Sequence, residues 1–234
     1  MLFSLATAPV IIALFYIYIR DKYEKEPWAL LAVSLVFGIV ITGPIIFVAN
    51  MTLLFLPQNF GMLGEAFFNS FVVSSFVEET FKYIVLFFLT WKSKDLNEKF
   101  DGIVYGVFIS LGFAFVENIL YVFSDDLGGI STAFSRGAIS VPGHGLFGVY
   151  MGYFFTCAKW TGKHFRQTKR NKSKFLILAF FVPIFIHGFY NLFLLTDVSI
   201  YVFIAYVALV YFGAARMLKL HQEASPFKSP YVKM

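Results

Sequence analysis

Four stretches of this 234-residue chain set ionisable or amide side chains into otherwise apolar sequence. They are Phe76-Val77-Glu78-Glu79-Thr80-Phe81-Lys82, Phe113-Ala114-Phe115-Val116-Glu117-Asn118, Pro142-Gly143-His144-Gly145 and His187-Gly188-Phe189-Tyr190-Asn191. On a helix, Lys82 stands four residues from Glu78 and three from Glu79, so its ammonium can reach either carboxylate. It can offset only one of the two charges. Paired carboxylates in a low-dielectric site then supply one acid and one base. His187 and Asn191, four apart, project from one helix face. Such a group can position and deprotonate water while a histidine or asparagine donates to a developing oxyanion, the minimum for peptide-bond hydrolysis.

Glu79, His144 and His187 could also hold a zinc ion. There is no His-Glu-x-x-His helix and no close histidine pair, so the ligands would have to come from three helices. The expectation from sequence is no cofactor, with zinc as the alternative. No serine or cysteine sits in a nucleophile-elbow context, and a single cysteine, Cys157, allows neither a disulfide nor a thiolate cluster. Buried acids with a lysine would equally suit a proton- or ion-coupled transporter, and a catalytically inactive scaffold is a third reading.

The elements that position these groups are membrane helices. The chain is 59% hydrophobic and 14% charged, with a mean hydropathy of +0.73. A water-soluble domain cannot hide that much apolar surface. Apolar runs bounded by charges or turn residues predict helices near 2–19, 28–56, 66–91, 102–123, 141–158, 175–196 and 199–218, with a kink at Gly43-Pro44. The expected fold is all-α: a polytopic bundle of about seven transmembrane helices. It forms a single domain over 1–220, followed by a short tail at 221–234.

The net charge of +5 does not signal nucleic acid, because the basic residues alternate between loops. Arg20, Lys22 and Lys25 follow the first helix, Lys92, Lys94 and Lys99 the third, and seven from Lys159 to Lys174 the fifth; Arg216, Lys219, Lys228 and Lys233 are in the tail. Of the rest, Lys82 lies in a helix and Arg136 in an opposite loop. Retention of positive charge in the cytoplasm puts the N-terminus outside and the C-terminus inside. The four polar stretches then lie on helices 3 to 6, between mid-membrane and the outer leaflet. A charge there costs at least about 2.5 to 3.5 kcal/mol, which argues for partners and a purpose. His164 and His221, in polar segments, are read as solvated, Ser74 and Ser75 as packing residues, and the Gly102-xxx-Gly106-xxx-Ser110 and Gly148-xxx-Gly152 series as sites of close helix approach.

Taken in order, Asp21-x-Tyr23-x-x-Glu26-Pro27, Glu78-Glu79-x-x-Lys82, Asp101-Gly102-Ile103-Val104-Tyr105-Gly106, Gly112-Phe113-Ala114, Glu117-Asn118-Ile119-Leu120-Tyr121, His144 and His187-Gly188 resemble the PrsW family of intramembrane proteases over nearly the whole chain. The resemblance implies a multi-pass protein of the bacterial cell membrane that cleaves a single-span anti-sigma factor on its extracytoplasmic side and so starts release of a sigma factor. Glu-Glu followed by a basic residue, and His187-xxx-Asn191, are more distantly similar to type II CAAX prenyl endopeptidases, in which water is activated without a covalent intermediate. By that likeness Glu78 and Glu79 are base and acid, Lys82 their charge partner, and His187 and His144 water-orienting or oxyanion groups. Asn191 supports His187. Glu117 stands where that superfamily has a histidine, which leaves its role open between base, shuttle and orienter. Asn118 and Arg136 are expected to meet substrate at the mouth of the site. The partners implied are the single-span substrate and the lipid bilayer.

Overall fold

A computed structural model of the chain describes residues 1–56, 60–160 and 169–228. Within these, ten α-helices and two π-helical segments occur: α1 Leu2–Arg20, α2 Trp28–Val40, α3 Thr42–Leu53, α4 Gly61–Phe68, the first π segment Asn69–Phe76, α5 Val77–Thr90, α6 Asp101–Val122, α7 Ile130–Ser135, the second π segment Arg136–Ser140, α8 Val141–Trp160, α9 Lys169–Leu195 and α10 Ile200–Glu223. Lys163, His164 and Arg166 of the basic loop, and Lys233 of the tail, lie outside the described residues.

The α2 and α3 helices are one apolar stretch broken at Ile41. The cause is Pro44: it has no N–H to give the Val40 carbonyl, and its ring crowds that oxygen. Elsewhere helices run on through the π segments without a break, so α4 to α5 form one rod over 61–90 and α7 to α8 another over 130–160. Joined in this way, and with the kinked pair α2 and α3 counted as one, the described helices make seven rods, the all-α architecture expected. By length and composition five are long and apolar enough to cross a membrane: Leu2–Arg20, Trp28–Leu53, Asp101–Val122, Asn171–Leu195 and Ile200–Glu223. The other two carry the polar stretches around Glu78-Glu79 and His144.

The fifth rod departs from the expected 141–158 by starting eleven residues earlier, at Ile130. The Gly128-Gly129 turn, with Gly129 at φ 106°, provides the break that the sequence reading placed later. As a result His144 is well inside a continuous rod rather than at its mouth.

The central element is α6, buried along most of its length. Two neighbours approach it backbone to backbone. A methyl group on Gly152 of α8 would fall 2.1 Å from the Gly102 carbonyl oxygen, and one on Gly148 2.7 Å from that of Gly106. On the opposite side, a methyl on Gly112 would fall 2.3 Å from the Leu35 carbonyl of α2. With no hydrophobic drive between helices in lipid, such close packing is a main source of cohesion. The glycine series thus act as expected, and the Gly38–Gly112 contact adds a second seam. Outward faces carry bare aromatic and aliphatic side chains such as Phe15, Phe47, Phe88 and Phe212, as a lipid-facing surface should.

At the end of the bundle bearing Arg20 and Lys99, His221 is buried rather than solvated. Its ring stacks on Tyr153 with centroids 4.1 Å apart, and its Nδ1 lies 3.0 Å from the Lys99 carbonyl. It fastens α10 to the loop before α6.

Candidate active site

The four polar stretches converge. Glu78 and Glu79 open α5 directly after the first π segment, Glu117 and Asn118 are on the last turns of α6, Arg136 begins the second π segment, His144 follows it on α8, and His187 and Asn191 are on α9. π-Helical turns shift the register of the side chains that follow, and they recur at functional sites. Both π segments here immediately precede site residues. Nothing in the residue pattern announces them.

Lys82 is at the centre, fully buried, with Nζ 2.7 Å from Glu79 Oε1, 3.4 Å from Glu78 Oε2 and 3.3 Å from His144 Nδ1. The same ammonium sits 4.4 Å above the Phe113 ring. His187 Nδ1 approaches Glu79 Oε1 at 3.0 Å and Glu78 Oε2 at 3.9 Å. A carboxylate can only accept, so Nδ1–H is the donor. Aromatic rings fix both imidazoles: Phe147 stacks on His187 at 4.6 Å, and Phe113 meets His144 edge-on at 5.3 Å.

A second line of contacts runs outward from His144. Its Nε2 lies 2.9 Å from Glu117 Oε2, which also accepts from Arg136 Nη2 at 2.6 Å. Arg136 Nε donates to Asn118 Oδ1 at 3.1 Å, and the guanidinium rests 4.0 Å from the centre of the Tyr121 ring. Asn118 in turn donates through Nδ2 to the Ala6 carbonyl of α1 at 2.6 Å.

These groups face a cavity of about 700 Å³ bounded by α3, the first π segment, the ends of α6 and α9, and the start of α8. Glu78, Glu117, Arg136, His144, His187 and Asn191 line it; Glu79, Lys82 and Asn118 are behind its wall. Asn118 therefore does not line the cavity; it braces Arg136 against α1. Arg136 does reach the cavity. Asn191 differs from the sequence expectation as well, because its Nδ2 donates to Ser74 Oγ at 2.8 Å rather than to His187. Ser74 Oγ donates to Glu78 Oε1 at 2.9 Å. Read from sequence as a packing residue, Ser74 stands four residues before Glu78, and that spacing was the signal available.

Glu78, Glu79, His144 and His187 are all buried, and one donor atom from each falls within a group no wider than 4.8 Å. Two imidazoles and two carboxylates form a donor set that suits zinc. One carboxylate oxygen in the cluster, Glu79 Oε2, is buried with no hydrogen-bond partner among the described residues. The residues present therefore fit a divalent ion.

Residues 26–215 match the family model described as PrsW family intramembrane metalloprotease. Curated relatives include "Protease PrsW" of Clostridioides difficile, 33% identical over 90% of this chain and 87% of that protein. The "Protease PrsW" of Bacillus subtilis is 34% identical over 92% of this chain and 93% of its own length. That of Geobacillus kaustophilus is 34% identical over 83% and 80%. No solved structure matches the chain. The sequence expectation of no cofactor is overturned: the matching family is one of metalloproteases, and a buried Glu/His cluster able to hold a metal is present. The lack of a His-Glu-x-x-His helix weighed against zinc in the sequence reading, although Glu79, His144 and His187, from three helices, were already the ligands it named for that alternative.

Proposed function

The chain belongs to the PrsW family of intramembrane metalloproteases and is a membrane-embedded endopeptidase, and on that premise we propose that it cuts a single-span membrane protein at the cavity above Glu78, His144 and His187. The substrate class implied by the family resemblance is an anti-sigma factor, cut on its extracytoplasmic side so that further proteolysis frees a sigma factor. The observation that carries the reading is that Glu78 and both histidines open onto a cavity of about 700 Å³ while Glu79 and Lys82 stay behind its wall. That separates groups able to touch a peptide from groups that hold them.

In this reading Glu79, His144 and His187 would hold the metal, a two-histidine, one-carboxylate donor set. A metal held there would supply Lewis-acid chemistry. Glu78, on the cavity side, takes the proton of the attacking water and returns it to the leaving amine. Lys82 offsets one of the two carboxylate charges, whose burial at this depth would otherwise be costlier still. Glu117 accepts from His144 Nε2–H and so turns Nδ1 toward the cluster. Arg136 anchors Glu117 and places a cation on the cavity wall.

The test is a purified, detergent-solubilised sample presented with a single-span anti-sigma factor, with metal content measured on the same preparation. Cleavage should depend on bound metal and be restored by zinc after chelation. Glu78→Gln and His187→Ala variants that accumulate normally yet still cleave would sink the proposal.

A further inference from the structure

The cavity-facing carboxylate is not free to choose its own orientation. Glu78 Oε2 is directed to Lys82 and Oε1 to Ser74, and the Ser74 hydroxyl has its other partner in Asn191 of α9. Ser74 belongs to the first π segment, whose wide turns carry its side chain around to the cavity. Asn191 donates Nδ2–H to Ser74 Oγ, and Ser74 donates O–H to Glu78. The hydroxyl is thereby polarised toward the carboxylate, and its rotor is fixed in a surrounding of low dielectric. A rigid element, α9, is thus linked to the base on α5 through one hydroxyl.

We propose that Ser74 is a positioning residue for Glu78, and that Asn191 acts on the reaction through Ser74 rather than through His187 or the substrate. The proposal rests on the reading of Glu78 as the cavity-facing base. Two hydrogen bonds, from Ser74 and Lys82, set the direction of this cavity-lining carboxylate. Losing the Ser74 bond lets the carboxylate swing toward Lys82, and a displacement near 1 Å at a reacting group can cost on the order of 100-fold.

The experiment is steady-state cleavage of a single-span peptide substrate by the wild type, Ser74→Ala, Ser74→Thr, Asn191→Ala and the Ser74→Ala/Asn191→Ala double variant, with bound zinc measured for each. Ser74→Ala should lower kcat roughly 10- to 100-fold with KM and zinc content near wild type, and Ser74→Thr should recover most of the loss. The double variant should be no slower than Ser74→Ala alone, since both remove one chain of contacts. Full activity of Ser74→Ala overturns the proposal. So do multiplicative losses in the double variant, which would mean that Asn191 acts separately. A wild-type sample that neither binds zinc nor cleaves would instead refute the underlying protease reading, and the two failures are told apart in the same assay.

Discussion

Glu117 and His144 meet at 2.9 Å, carboxylate Oε2 to imidazole Nε2, and this one contact decides which ring nitrogen faces the acid pair. With Nε2–H donating outward, Nδ1 carries the lone pair that points to Lys82 and the cluster. That arrangement argues for an orienting role over a general-base role for Glu117. Glu117→Ala should weaken zinc binding roughly 10- to 100-fold, the usual cost of removing an outer carboxylate. Glu117→Gln, which keeps an acceptor oxygen, should lose less. Competition with a chromogenic chelator measures both, and unchanged zinc affinity in Glu117→Ala would return this residue to direct catalysis.

What the sequence could and could not reveal follows from how each feature is encoded. The rods are visible because apolar length and charge boundaries are local properties, so α1, α6 and α10 begin and end within a few residues of the expected positions. Glu78, Glu79, Lys82, His144 and His187 stand out because a charge or imidazole in an apolar run is costly enough to be conspicuous. The π turns and the bond from Asn191 to Ser74 were hidden, since no residue pattern marks either, whereas the four-residue spacing of Ser74 and Glu78 and the Gly128-Gly129 turn were local signals left unused. The second seam, Gly38 on Gly112, escaped notice because its members lie on different helices and no single-chain spacing marks them.

Among the described residues, Lys82 is the one lysine or arginine paired with Glu78 and Glu79. Lys82→Met should leave Glu79 with an uncompensated charge, at a cost of about 3 to 5 kcal/mol if Glu79 stays ionised. A marked drop in the thermal midpoint of the metal-free protein in detergent is expected. Replacing Glu79 with Gln in the same chain should recover part of that drop, because the orphaned charge is gone. A single Lys82→Met variant with the wild-type midpoint would show that the pair is stabilised by other groups.

Close packing of α6 on α8 predicts an asymmetry between glycines. Gly152→Ala drives a methyl into the Gly102 carbonyl at 2.1 Å, backbone against backbone, so the helices must separate. A loss of about 1 to 3 kcal/mol is expected. A methyl on Gly43 of α3 would meet no neighbouring helix within 4 Å, and only the crowding that Pro44 imposes on the residue before it opposes the gain in helix propensity, so Gly43→Ala should shift stability by no more than about 1 kcal/mol either way. Thermal midpoints in one detergent, compared across the two variants, decide the matter.

The end of the bundle opposite the site carries a second set of buried acids, and its pH response can be given a sign. Asp21 and Glu26, in the loop after α1, and Glu98, before α6, are all buried; Tyr105 donates to Glu26 and Ser225 to Glu98, while neither oxygen of the Asp21 carboxylate has a hydrogen-bond partner among the described residues. Burial, with Glu98 nearby, pushes Asp21 up to about 7, and burial beside Asp101 pushes Glu26 up to about 11. Glu98 is raised as well, again chiefly by burial. A carboxyl group raised in the folded state holds a proton that the unfolded chain has already released, so stability falls as pH rises through that interval. For Asp21 the interval runs from about 4 to 7. Asp21→Asn removes the ionisation while keeping the shape. The thermal midpoint of the wild type should therefore drop between pH 5 and pH 8, and Asp21→Asn should flatten the lower part of that decline. The decline that remains above pH 7 should then belong to Glu26, and Glu26→Gln should reduce it. If both variants kept the wild-type pH profile, the buried acids would have to be neutralised by something other than protons.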